Sequence, residues 1–181
     1  MIKLNFQPKQ ATKSILLHLD KKPRDVLEQR FGLGLSSPKT LEAIGQGYNI
    51  TRERVRQIEE DALNRLRKSE AFVSLSGAFL ELKKQIDDLG GVVHEKEFLN
   101  AVSGGTPVKY HIRFLLILGD EFEHFKEDDE FHHRWTIDAS KAERIHNAIR
   151  LLHKEITSDD LLPEKEIFNK FNGFRNFFIT I

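Results

Sequence analysis

The stretch YNITRERVRQIE, Tyr48 to Glu59, concentrates side chains able to read a nucleic acid. Arg52, Arg54 and Arg56 lie within five residues, and Glu53 stands among them. Arginine suits phosphate oxygens and the O6/N7 edge of guanine, glutamine matches adenine N6/N7, and glutamate accepts from cytosine N4. A surface built only to attract phosphate gains nothing from Glu53. A surface that reads base edges does, because the carboxylate weakens indiscriminate phosphate attraction and can gain a base-specific bond. Arg52, Glu53, Arg56 and Gln57 supply these types together. An ordinary solvated helix carries the same neighbours at the same spacing, Arg56–Glu60 and Glu53–Gln57 among them, and spacing alone does not choose between the two readings.

Such a face needs a helix under it. Thr51 is placed to cap one reaching about Arg67, with Val55, Ile58, Ala62 and Leu66 as its buried stripe. Arg52, Glu53, Arg56, Gln57 and Glu60 are then left outward. Before it, Thr40 can cap the short helix LEAIGQG and offer a phosphate a donor there; Tyr48 to Ile50 make a brief turn. Two helices joined by a three-residue turn, the second polar at its N-terminus, make a helix-turn-helix pattern. Further upstream, Lys9 to Leu19 predicts a helix with Ile15, Leu16 and Leu19 inward. Pro23 suits a first helical position, and RDVLEQRF spaces Val26, Leu27, Arg30 and Phe31 by the helical period before Gly32 and Gly34 stop it.

Downstream, Phe72, Leu75, Phe79, Leu82, Ile86 and Leu89 predict one amphipathic helix ended by Gly90-Gly91. Glu95–Val102 and Pro107–Leu118 predict two more. The period then changes: Phe131, His133, Trp135 and Ile137 alternate, so Phe122 to Ile137 reads as a hairpin with Asp128-Asp129 at its turn. Three helices and a hairpin suggest a winged helix. HEKEFLNAVSG (94–104) is echoed by PEKEIFNKFNG (163–173), again after an apolar pair and an amphipathic helix, about Ser140 to Ile156. The expected organisation is a mainly α chain: a helix-turn-helix domain (1–70), a winged-helix domain (71–138) and a partial second copy (139–181). Either residues 175–181 improvise that copy's ending or the natural chain runs past Ile181.

Composition narrows the function class. Thirty-nine per cent of the 181 residues are apolar, and no cysteine is present to form a disulfide or a thiolate metal site. No apolar run approaches the roughly 20 residues that span a bilayer, and the N-terminus lacks a secretory pattern, so a cytoplasmic, nucleoid-associated protein is expected. The formal net charge of zero hides a split: residues 1–70 carry 14 Lys/Arg against 9 Asp/Glu, and residues 71–181 carry 14 against 19. The basic half suits a polyanion and the acidic half repels one. His124, His132 and His133 lie near one another, but His132 and His133 point to opposite faces of a strand, so no metal site is expected. No phosphate loop and no activated nucleophile with its base stand out. No cofactor, catalysis or small-molecule substrate is expected, and FNGFRNFF near the C-terminus reads as core or a broken edge rather than a stacking platform.

RDVLEQRFGL, TLEAIG and ITRERVRQIEEDALNRLR, in that order, resemble region four of the sigma-seventy family of bacterial RNA polymerase sigma factors, over about residues 12–68. The resemblance implies a helix-turn-helix that binds a minus-thirty-five-type promoter element and first helices that dock on the polymerase beta flap. By motif position it implies base contacts from Arg52, Glu53 and Gln57. It implies DNA-backbone contacts from Arg30, Thr40, Leu41, Arg54 and Arg56. The flap surface would draw on Leu16, Leu19 and Leu27, which serve equally well as core. Asp61 departs from the family, whose primary members often carry a base there. The family's region two, which melts promoters, normally precedes region four, whereas about a dozen residues do here. ELKKQIDDLGGVVHEKEFLNAV and the hairpin ending HHRW more faintly resemble the HARE-HTH winged helix of the polymerase delta subunit. Its acidic tip, Glu127 to Glu130, would repel phosphate, so a protein contact is expected there. The expected function is a sequence-specific DNA-binding initiation factor or regulator that contacts polymerase. The alternative is a protein-interaction module that binds the beta flap, with incidental DNA contact.

Overall fold

The computed structural model describes residues 2–34 and 37–156. It is mainly helical, with one small antiparallel sheet, an arrangement of the helix-turn-helix and winged-helix kind. It falls into two compact units, the first Met1–Leu82 with Lys96–Asp120, the second Lys83–Glu95 with the described residues from Glu121 on.

In the first unit, α1 (Pro8–Leu16) and α2 (Lys21–Phe31) bury Ile15, Leu16, Val26, Leu27 and Phe31. Pro23 is the third residue of α2, not the first. The exchange is harmless, because the third amide of a helix also lacks an intrahelical acceptor. Two caps follow the sequence expectation. Thr40 Oγ1 accepts from Ala43 N at 3.2 Å to start α3 (Leu41–Tyr48), and Thr51 Oγ1 accepts from Arg54 N at 3.1 Å to start α4 (Arg52–Arg67). Between them Asn49 takes the left-handed conformation at φ 54°, and Ile50 N returns to Gly45 O at 3.0 Å. The chain passes so close that a Cβ on Gly45 would stand 2.7 Å from Ile50 O. Val26, Ile44 and Val55 lock α2, α3 and α4 together, with Leu41, Tyr48, Ile50 and Ile58 packed around them. Each large aliphatic side chain so buried contributes roughly 1.5–3 kcal/mol.

The single helix expected from Phe72 to Leu89 is instead two, α5 (Glu70–Val73) and α6 (Ser76–Asp88). Ser74 is the reason: its Oγ donates back to Ala71 O at 2.6 Å while its amide bonds the same carbonyl, closing a tight turn in place of the α ladder. Helix α7 (Glu95–Ser103) follows, then α8 (Val108–Leu118), whose His111, Ile112, Phe114, Leu115, Leu116 and Leu118 are all buried. Lys109, Tyr110 and Arg113 keep to the half-buried side, and the wide apolar face packs into the core.

The second unit holds β1 (Val92–His94), β2 (Glu123–Phe125) and β3 (Arg134–Thr136), antiparallel in the order β1-β3-β2, with Val93 and His124 both opposite Trp135. Helix α9 (Ala139–Ile156) packs Ala142 and Ile145 on Val92, with Phe125 and Ile149 alongside. The expected hairpin is present, but the alternation along it is not. All three residues of β3 are buried, Arg134 included, while His133 is exposed. Arg134 and Thr136 on one face of β3 and Trp135 on the other are all covered, so period-two patterning fails. The start of the expected second copy is α9. The rest of it, including PEKEIFNKFNG and FNGFRNFF, lies outside the described residues.

Candidate nucleic-acid interface

Arg52, Glu53, Arg56 and Gln57 project from the first two turns of α4, and all four are exposed. The same helix hides Val55, Ala62 and Leu66, so burial fixes which way the polar side chains look. These groups are joined to one another. Arg56 donates from Nε and Nη2 to the Glu53 carboxylate at 2.9–3.1 Å and from Nη1 to Glu60 Oε2 at 3.1 Å. Arg54 Nη1 donates to Gln57 Oε1 at 3.1 Å. The hydrogen bond from Arg56 is the first cause holding the Glu53 carboxyl below its ordinary range, and the same bond raises the Arg56 guanidinium. The face therefore presents ion pairs that a ligand must exchange for its own.

A second layer orients α3 against α4. Arg30 on α2 donates from Nε to Glu59 Oε2 on α4 at 3.3 Å and from Nη1 to Lys39 O, just ahead of α3, also at 3.3 Å. Lys39 is tied in turn to Gln29, Nζ to Oε1 at 2.9 Å and N to the Gln29 carbonyl at 2.9 Å. Burial is the leading cause that raises the Glu59 carboxyl, with Arg30 opposing it. Thr40 and Leu41 stand at the N-terminus of α3, where backbone amides lack intrahelical acceptors. Arg30, Thr40 and Leu41 thus share one layer beside the α4 face, joined by Glu59 and Lys39. Sequence spacing gave no sign of Glu59, whose partner lies 29 residues away.

The three leucines that suited either a polymerase contact or the core are buried. Leu16, Leu19 and Leu27 are 2%, 5% and 0% exposed, in a core to which α8 contributes. Phe114 of α8 meets Phe31 edge-on at 5.3 Å, and Arg67 donates to the last α8 carbonyls, Nη2 to Ile117 O at 2.8 Å and Nε to Leu118 O at 3.1 Å. Their apolar surface is used inside the unit. The signal was present in VKYHIRFLLIL, whose apolar residues cover far more than one narrow stripe.

In the second unit Glu127, Asp128 and Glu130 of the acidic tip are internally paired. Asp128 bonds Arg134 Nη2 at 2.9 Å, Glu130 bonds Arg150 at 2.7 Å, and Glu127 lies 2.8 Å from His132 Nδ1. Buried Arg134 donates from Nε to His146 Nε2 at 2.9 Å, so that nitrogen is an acceptor and its ring is neutral. Among the described residues no group of three or more His, Asp or Glu could hold a metal ion, and no helix is long and apolar enough to cross a membrane.

Residues 15–68, the segment that builds α2, α3 and α4, match a family model described as Sigma-70, region 4. RNA polymerase sigma factor SigA1 of Synechococcus elongatus is 55% identical to this chain over 53 residues, which are 29% of this chain and 13% of that protein. SigA of Nostoc sp. is 55% identical over 53 residues, 29% of this chain and 14% of that protein. SigA of Microcystis aeruginosa is 54% identical over 54 residues, 30% and 13% respectively. The chain thus covers about one-seventh of the length of these relatives, and the segment matched by the family model contains none of α5 to α9.

Proposed function

We propose that this chain, whose residues 15–68 are similar to sigma-70 region 4, binds promoter DNA of the minus-thirty-five type and acts with bacterial RNA polymerase as an initiation factor or regulator. The observation that carries the proposal is the open α4 face: Arg52, Glu53, Arg56 and Gln57 are exposed on a capped helix-turn-helix within the matched segment. With α4 in the major groove, Arg52 and Gln57 donate to purine edges and Glu53 accepts from a cytosine amine. Arg54 and Arg56 meet backbone phosphates, as do Arg30 and the α3 amides around Thr40 and Leu41. No bond is made or broken. The protein's work is placement.

The alternative, flap binding with incidental DNA contact, finds less support. Leu16, Leu19 and Leu27 are buried, so they offer no surface to a partner while the unit stays folded as it is. The experiment is enrichment of duplexes from a random pool by the full chain, followed by polymerase capture with and without the enriched duplex. One recurring motif and DNA-assisted capture are expected. Uniform retention of all sequences would contradict base reading.

A further inference from the structure

We infer that Glu60 is a positioning residue that sets sequence discrimination at the α4 face, by keeping hold of Arg56 when Glu53 turns to a base. This rests on the DNA-reading function proposed above.

Arg56 lies between two carboxylates on one helix face. Glu53, one turn earlier, takes two of its nitrogens, and Glu60, one turn later, takes the third. The side chains of all three are at least half exposed, so each can exchange partners at small cost. A duplex that offers Glu53 an amine donor draws that carboxylate away from Arg56. The guanidinium then keeps one anchor, Nη1 to Glu60, and stays aligned along the helix with two nitrogens released toward the phosphate beside the occupied base. A duplex that offers no donor leaves Glu53 in place, and Arg56 reaches phosphate only by breaking both pairs. The cation thus becomes available when the base contact forms. Without Glu60, Arg56 is restrained only by Glu53, and any phosphate competes for it.

The test uses the full chain and two duplexes, one enriched by the wild-type chain from a random pool and one of the same composition in scrambled order. Glu60→Gln keeps the shape and removes the charge. It is expected to bind the scrambled duplex about threefold more tightly and to steepen the slope of log affinity against log salt by about 0.9, the effect of one added phosphate contact. The ratio of selected to scrambled affinity falls, the thermal midpoint stays put, and in an Arg56→Ala background Glu60→Gln changes neither ratio nor slope. An unchanged ratio and slope in Glu60→Gln would overturn the inference while leaving DNA reading intact. So would an effect of equal size in the Arg56→Ala background, since the charge would then act on DNA directly. If the wild-type chain enriches no sequence, the proposed function fails and this inference with it.

Discussion

Phe114 on α8 meets Phe31 on α2 edge-on, with ring centroids 5.3 Å apart and planes at 66°. The contact joins a helix outside the family-matched segment to a helix inside it. Phe114 is fully buried, and its loss leaves a void beside Phe31. Phe114→Ala is therefore expected to lower stability by about 3–5 kcal/mol in urea unfolding. It should also speed amide exchange in α2 and α4. Loss of protection confined to α8 would show that α8 is not part of the core that supports the DNA-facing helices.

Gly45→Ala tests the turn between α3 and α4. The new Cβ would meet a backbone oxygen, Ile50 O, at 2.7 Å, and a carbonyl in a tight turn has little room to move. Thermal melting should report a loss of about 1–3 kcal/mol, and binding to a selected duplex should weaken beyond that of Gly47→Ala, whose Cβ meets nothing within 4 Å. Equal effects at the two glycines would contradict the close approach.

Acid should loosen the second unit in two stages. Burial, then Arg134, pushes the His146 imidazole below its ordinary 6.5. The unfolded chain therefore takes up a proton first, and stability is lost as the pH falls through 6.5. The hydrogen bond from Arg134, then amides of Glu130 and Phe131, holds Asp128 at about 2 against an ordinary 3.8. Its contribution is present above 3.8 and disappears as the pH falls from there through about 2. Glutamine at 146 can still accept from Arg134 and does not titrate. His146→Gln should abolish the first stage in pH-dependent urea midpoints and spare the second. Two stages surviving in His146→Gln would place the upper one on another group.

What the sequence made legible was local. Thr40 and Thr51 could be read as caps because a hydroxyl and an amide three residues on decide a helix start by themselves, and the stripe of Val55, Ala62 and Leu66 fixed which face of α4 stays outside. The relations missed were those set by distant partners. Arg134 reads as a surface residue in HHRW, yet Asp128, Lys126 O, His132 O and His146 Nε2 satisfy its guanidinium inside the fold. Glu59 reads as one more acid on α4 until Arg30 is placed beside it. Leu16, Leu19 and Leu27 were equally suited to a partner or to a core, and only the packing of the folded unit buries them. The break at Ser74 falls between: its hydroxyl was visible, but helical periodicity ran straight through it.

The most direct measurement is the affinity of Arg52→Ala and Gln57→Ala for a duplex selected by the wild-type chain, set against a scrambled duplex and against single-base variants of the selected one. Each substitution is predicted to cost about 1–3 kcal/mol on the selected duplex and to remove the preference at one base position, with much smaller losses on scrambled DNA. Equal losses on every duplex, or no loss on any, would contradict the claim that the start of α4 reads bases.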